Sequence, residues 1–120
     1  QLGNGLAGSG VLNLVPDQVL GGHTFVSLGL EGNASCGIST TGGALCWGWN
    51  GVGQLGSGNT DASPVPVAVA GPTNLQQVVA GWSHACALDA AGAAWCWGDN
   101  LYGQLGIGLT GSIPAPVIVP

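Results

Sequence analysis

The sequence predicts an all-β repeat protein, and three observations carry that expectation. Cys36 to Gly56 and Cys86 to Gly106 share one device: two cysteines ten apart, then Trp-Gly-x-Asn-x-x-Gly-Gln-Leu-Gly. The offset between the two copies is fifty residues, and a fixed period of that size marks a repeat architecture. Short runs with strand character alternate with regularly spaced turn signals, the pattern of an all-β repeat. No 3.6-residue apolar periodicity outlasts a single turn, so helices are not expected.

In chain order, Gln1-Leu2-Gly3-Asn4-Gly5 matches Gln54 to Gly58 and Gln104 to Gly108. The chain therefore opens inside a repeat, after the place of a Trp-Gly-x-Asn, and a fragment of a longer chain is the expectation. Residues 1–20 make a partial unit, with Val11-Leu12-Asn13-Leu14-Val15 as a strand before Pro16. Its loop is about three residues longer than the next one. Residues 21–70 make the first full unit. There Phe25 to Leu30 reads as a strand, Glu31 to Ala34 as a turn, and Cys36 to Trp47 as a hairpin turned at Thr40-Thr41-Gly42-Gly43. Glycine supplies the positive φ that such turns need. Pro64 to Val67 follows as an extended edge segment, since proline withholds a ladder donor. Residues 71–120 repeat the plan: Leu75 to Ala80, the turn Gly81 to His84, a hairpin around Asp89-Ala90-Ala91-Gly92, then Pro114 to Val119.

Composition narrows the class. There are 24 Gly and 7 Pro, yet 46% of residues are hydrophobic and five are Trp. Disordered chains lack the apolar surface to offset ordering entropy. The glycines are therefore read as turn and close-approach positions. The chain has no Lys or Arg and a formal charge of −5. Nucleic-acid binding relies on cationic side chains to release phosphate counterions, and anionic membranes attract the same residues. Both partners are excluded for this segment. No apolar run approaches the roughly 18 residues of a membrane helix, so no membrane insertion is expected. Neither an initiating Met nor a signal-peptide pattern is present.

The four cysteines admit three pairings, with metal binding as the rival. Cys36/Cys46 and Cys86/Cys96 flank hairpin turns, so each pair can lie opposite across two strands as a disulfide. Zinc sites usually carry Cys-x-x-Cys spacing, which is absent. Reduced core cysteines are the alternative. Disulfides point to an oxidising compartment. Asn33-Ala34-Ser35 also fits the N-glycosylation pattern.

With these residues in view, the chain resembles the regulator of chromosome condensation repeat. Gly-Trp-Ser-His-Ala-Cys-Ala-Leu, Trp-Cys-Trp-Gly-Asp-Asn and Tyr-Gly-Gln-Leu-Gly carry the resemblance. Trp97, Gly98, Asn100, Gly103, Gln104 and Leu105 stand in the family's order and are echoed at Trp47, Gly48, Asn50, Gly53, Gln54 and Leu55. The resemblance covers nearly the whole chain, and bacterial variants of the repeat often carry paired cysteines. It implies a β-propeller, commonly of seven four-stranded blades, here about two and a third repeats. Departures exist, with Ala34 where the second unit has His84 and Glu31 at the Gly81 position.

The repeated residues have structural explanations. Indoles bury large apolar area between blades, and glycines let backbones approach. Asn50 and Asn100 are expected to bond turn backbone through their side chains. Gln54 and Gln104 are expected to satisfy loop carbonyls. Gly3-x-Gly-x-x-Gly8 and Gly106-x-Gly-x-x-Gly111 match a dinucleotide fingerprint in spacing only, since neither opens a helix. Ser83, His84 and Asp89 lack the elbow and oxyanion hole of a catalytic triad, so His84 is read as a turn residue. His23 has no counterpart at Thr73 and no obvious partner. No cofactor, metal or catalytic residue is expected.

The reading is a non-enzymatic, extracellular structural or protein-binding segment. Its partners would be another protein, identical chains in a ring or filament, or the remaining blades of a longer chain. An intracellular exchange factor and a secreted enzyme inhibitor are the alternatives.

Overall fold

The computed structural model describes residues 2–10 and 12–120. Two hairpins with matched chemistry are its starting points. Ser39 N–H donates to the Gly43 carbonyl and Gly42 N–H returns to Ser39, both at 2.9 Å. Asp89 makes the same pair of bonds with Ala93 and Gly92, each at 3.0 Å. Its carboxylate also accepts the Ala91 and Ala93 N–H groups at 2.9 Å, a side-chain turn that needs only a short acidic residue.

From these hairpins two antiparallel four-stranded sheets are built, each in sequence order. The first holds β1 (Phe25–Glu31), β2 (Ala34–Ser39), β3 (Ala44–Gly48) and β4 (Ser63–Ala68). The second holds β5 (Leu75–Ala80), β6 (His84–Asp89), β7 (Ala94–Gly98) and β8 (Ile113–Ile118). No helix occurs among the described residues, in line with the all-β expectation. Pro64 and Pro66 sit in β4, Pro114 and Pro116 in β8, on outer strands where a missing donor costs no ladder bond. Strands run slightly further than expected. The turn between β1 and β2 is only Gly32 and Asn33, because Glu31 pairs with Ala34.

Gly48 and Gly98 end the Trp strands at φ +110° and +101°, a region that disfavours side chains. A Cβ on Gly48 would strike the Asn33 carbonyl, and one on Gly98 would meet the Ser83 carbonyl at 2.6 Å. The glycine after each repeated Trp is thus fixed twice, by conformation and by space.

The sheets stack face to face. One face of the first sheet presents Ala34, Cys36, Ile38, Ala44 and Cys46. Against it the second sheet sets Leu75, Val78, Ala85, Ala87 and Trp97, and together these form the core. Gly29 permits the approach, since a Cβ there would stand 3.0 Å from backbone of Val78 and Ala80. Burying a side chain such as Ile38 or Val78 contributes on the order of 1.5–3 kcal/mol. The far face of the second sheet leaves Val79 and Leu88 exposed, and Leu28 and Leu30 are exposed on the first.

Residues 2–20 do not form the expected strand. Leu12 to Val15 are unpaired in any ladder and exposed; Val11 lies outside the described residues. A strand exists through its partner, and this segment joins no ladder among the described residues. It is anchored as a loop instead, by Gly5 N–H on the Pro64 carbonyl at 3.1 Å and Leu20 N–H on Gly3 at 2.8 Å. Gly58 on Pro114 and Ala70 on Gly56 repeat that pattern, both at 2.8 Å.

Candidate functional site

The repeated polar residues prove to be loop organisers. Asn50 is fully buried; its Oδ1 accepts Leu55 N–H at 2.9 Å, and its Nδ2 donates to the Asn59 and Asp61 carbonyls at 3.0 Å. Asn100 likewise accepts from Leu105 at 3.0 Å and donates to Leu109 at 2.7 Å. Each Asn thus ties a loop of about a dozen residues to one buried amide, and Leu55 and Leu105 are carried inward with it. The glutamines work differently from expectation. Gln54 and Gln104 accept, through Oε1, the N–H of Val52 at 3.2 Å and of Tyr102 at 3.0 Å. They satisfy loop donors, because the Asn amide already serves the carbonyls.

Trp97 is wholly buried, and its indole N–H donates to the Gln54 carbonyl of the preceding unit at 2.9 Å. Gly53 and Gly56 carry that unit's loop across the second sheet, a Cβ on Gly56 standing 2.8 Å from the Trp97 ring. Trp47 is 3% exposed and meets Gly3 in the same manner. Gly103 has open space where Gly53 meets Pro114; Gln1 lies outside the described residues. The cysteines stand directly opposite in register, Cys36 with Cys46 and Cys86 with Cys96, and both pairs are disulfides with Cα atoms 4.1 Å apart.

The triad residues are not brought together. His84 and Asp89 occupy opposite ends of β6, roughly 17 Å apart at strand rise. His84 takes part in its turn by its carbonyl, which accepts Gly81 N–H at 2.7 Å, while its ring lies against Gly81. His23 stacks beside Phe25, with ring centroids 6.0 Å apart. Asp89 accepts the Trp95 indole N–H at 3.1 Å. That bond first, then the Ala93 amide, holds its carboxyl below the usual range. Asp17 is lowered chiefly by Asn4 and then Asn13. Among the described residues no group of three His, Cys, Asp or Glu gathers as a metal site.

A concave site joins the units. A cleft of about 640 Å³ opens where the three units meet, at the end of the sheets bearing the β1–β2 and β5–β6 turns. Leu2, Leu6, Trp49, Pro64, Trp82 and Ser83 are among its walls. Trp49 N–H donates to the Asn33 carbonyl and Asp99 N–H to Ser83, both at 2.8 Å, so both walls stand on bonded backbone. Asn33 itself is exposed on the rim. Sequence reasoning gave Trp49 no role and met Trp82 only as part of the Gly-Trp-Ser-His motif. The signal was their departure from the repeat, whose corresponding positions hold Asp99 and Gly32.

Four-stranded antiparallel sheets stacked face to face, each Trp capped by the loop before it, are adjacent blades of a β-propeller. The chain belongs to the regulator of chromosome condensation (RCC1) repeat family, whose model matches residues 41–88 and 91–120; a second model of the repeat matches residues 76–104. No curated protein matches it. Among solved structures, human WBSCR16 is similar at 21% identity and TM-score 0.77, covering 86% of this chain and 27% of that one. Prp20p from Saccharomyces cerevisiae, described with its binding to Gsp1p and histones, gives 19% identity and TM-score 0.74 over 82% of this chain and 26% of its own. Yeast RCC1 (Prp20) bound to Kap60 gives 19% and 0.75 over 86% and 26%. The chain thus spans about a quarter of the length of these structures.

Proposed function

We propose that the chain is a non-enzymatic, extracellular, protein-binding part of a β-propeller, comprising a partial unit (1–20) and repeat units 21–70 and 71–120. The observation that carries the compartment is the pair of hairpin disulfides, Cys36–Cys46 and Cys86–Cys96, since such bonds persist in oxidising surroundings. Protein binding is supported by Prp20p, described with Gsp1p, histones and Kap60 as partners. The exposed face around Gln77, Val79 and Leu88 is covered, in this reading, by a further blade from the same chain or from a second copy in a ring or filament. Asn33 is a surface acceptor for glycan in a host that glycosylates.

The test is chymotryptic mapping of the unreduced native protein, joined to partner capture with oxidised and reduced samples. Two intra-hairpin disulfides and a partner held only by the oxidised form support the proposal. Free thiols in the native protein overturn the extracellular assignment and favour an intracellular regulatory propeller. Light scattering reports whether copies assemble, and a soluble monomer at micromolar concentration removes self-assembly.

A further inference from the structure

We infer that the cleft between Trp49 and Trp82 binds an arginine- or lysine-bearing peptide segment of a protein partner; this rests on the protein-binding reading above and gives that reading its site. Four of the five tryptophans divide by position, the fifth, Trp95, being half-buried and bonded to Asp89. Trp47 and Trp97 recur in both units and are buried, so packing accounts for them. Trp49 and Trp82 recur in neither sense: the matching positions hold Asp99 and Gly32, and the indoles are 46% and 71% exposed. The repeat folds without an aromatic at either place. Exposed indoles bordering a concavity are the side chains that anchor partners.

Both indoles are presented by fixed backbone. Gly32 has no Cβ where the Trp82 backbone crosses it, and the Trp49 ring lies over Gly51. The two N–H bonds to Asn33 and Ser83 hold the turns beneath them. A ligand would therefore meet a preorganised pair of aromatic faces and lose little to reordering.

Charge selects the ligand. The chain has no Lys or Arg to attract an acidic group. Two acidic residues have their backbone at this end, just outside the walls: Asp61 precedes the wall residue Ala62, and Asp99 is bonded through its backbone to Ser83. Guanidinium and ammonium groups are drawn to indole faces and to carboxylates alike. A neutral proline-rich segment or a sugar would use the indoles and leave the acids unused. A volume of about 640 Å³ admits a few side chains of an extended segment, and the cleft is open to solvent on the blade end.

The test uses the 120-residue chain with three acetylated probes: a hexapeptide alternating Gly and Arg, and the same peptide with Gln or with Glu in place of Arg. Calorimetry and tryptophan fluorescence should show the arginine peptide binding at least about tenfold tighter than the glutamine peptide, with loss of affinity at high salt. Trp49→Ala or Trp82→Ala should each lower that affinity about tenfold with the thermal midpoint lowered by no more than about 5 °C, and Trp82→Phe should restore most of it. Asp61→Asn combined with Asp99→Asn should lower it severalfold. Equal binding of the glutamine peptide, indifference to both Trp substitutions, or binding of a neutral oligosaccharide in place of the arginine peptide overturns the inference. Partner capture that survives Trp82→Ala while the arginine peptide fails to bind overturns this site and leaves the protein-binding reading standing. Peptide binding without any captured partner overturns that reading and leaves the site.

Discussion

Replacing Trp97 by Ala probes the join between the two blades directly. Its side chain is wholly buried among Leu55, Val78 and Ala85, and its indole N–H satisfies the Gln54 carbonyl across 43 residues of sequence. Burying an indole removes about 150–250 Å² from water, which at about 25 cal/mol per Å² corresponds to roughly 4–6 kcal/mol. Partial collapse around the cavity lowers the observed cost of such truncations to about 3–5 kcal/mol. The stranded Gln54 carbonyl adds to it, since an unsatisfied buried acceptor costs about 1–3 kcal/mol. We therefore expect Trp97→Ala to cost about 4–8 kcal/mol in denaturant unfolding, and Trp97→Phe, which keeps most of the volume, about 1–3 kcal/mol. Trp49→Ala, at a half-exposed indole, should cost under about 1 kcal/mol. A Trp97→Ala cost below about 1 kcal/mol would refute the blade-join argument, because it would mean the ring is not what holds the sheets together.

Matched glycines separate backbone strain from blade contact. Gly53 and Gly103 share φ near +79° and +75°, but a Cβ on Gly53 meets Pro114 at 2.5 Å while Gly103 has open space. Gly53→Ala should thus be more destabilising than Gly103→Ala by about 1–3 kcal/mol, measured as the difference in unfolding free energy; equal costs would show that strain alone acts. Under graded reductant with alkylation and mass spectrometry, Cys86–Cys96 should open before Cys36–Cys46. Cys86 lies part-exposed on the uncovered face, whereas Cys36 and Cys46 are sealed between sheets, and simultaneous opening would contradict the stacking. Each bridge lost should cost on the order of 2–3 kcal/mol. Because Asp89 is held below its ordinary 3.8, the β6–β7 turn keeps its carboxylate bonds above that value and loses them as pH falls through the depressed folded one. The Trp95 indole N–H resonance should shift in that window, and a flat titration would deny the Asp89–Trp95 bond.

Much of this architecture could be read from residues alone. The hairpins were legible because cysteines ten apart around a glycine turn admit one natural register, and the repeated Trp because two copies reveal a common packing need. Leu12 to Val15 misled, since apolar alternation reports strand propensity while a strand also needs a ladder partner. Gln54 and Gln104 show the same limit from another side. Identical motifs end one buried and one exposed, because burial is set by whether a neighbouring blade lies above. The cleft was illegible for a related reason: aligning the repeats draws attention to what recurs, and Trp49 and Trp82 matter through not recurring.

The capping of each Trp strand by the loop before it gives the stack a direction. Gly3 covers Trp47 and Gly56 covers Trp97, so every blade depends on its predecessor for a closed core and lends its own loop to its successor. Stability in such a chain is a sum of unit terms and nearest-neighbour couplings, and here each coupling is supplied from the N-terminal side. The loop around Gly103 to Gly108 has no Trp beneath it among the described residues, so within these residues it caps none. In the isolated 120-residue chain, fraying should accordingly begin at that loop and at β8 and travel backwards, with amides of β2 and β3 the last to exchange. A blade supplied after it would find its Trp lid already folded. One placed before residue 2 would have to bring its own strands to the segment that now covers Trp47.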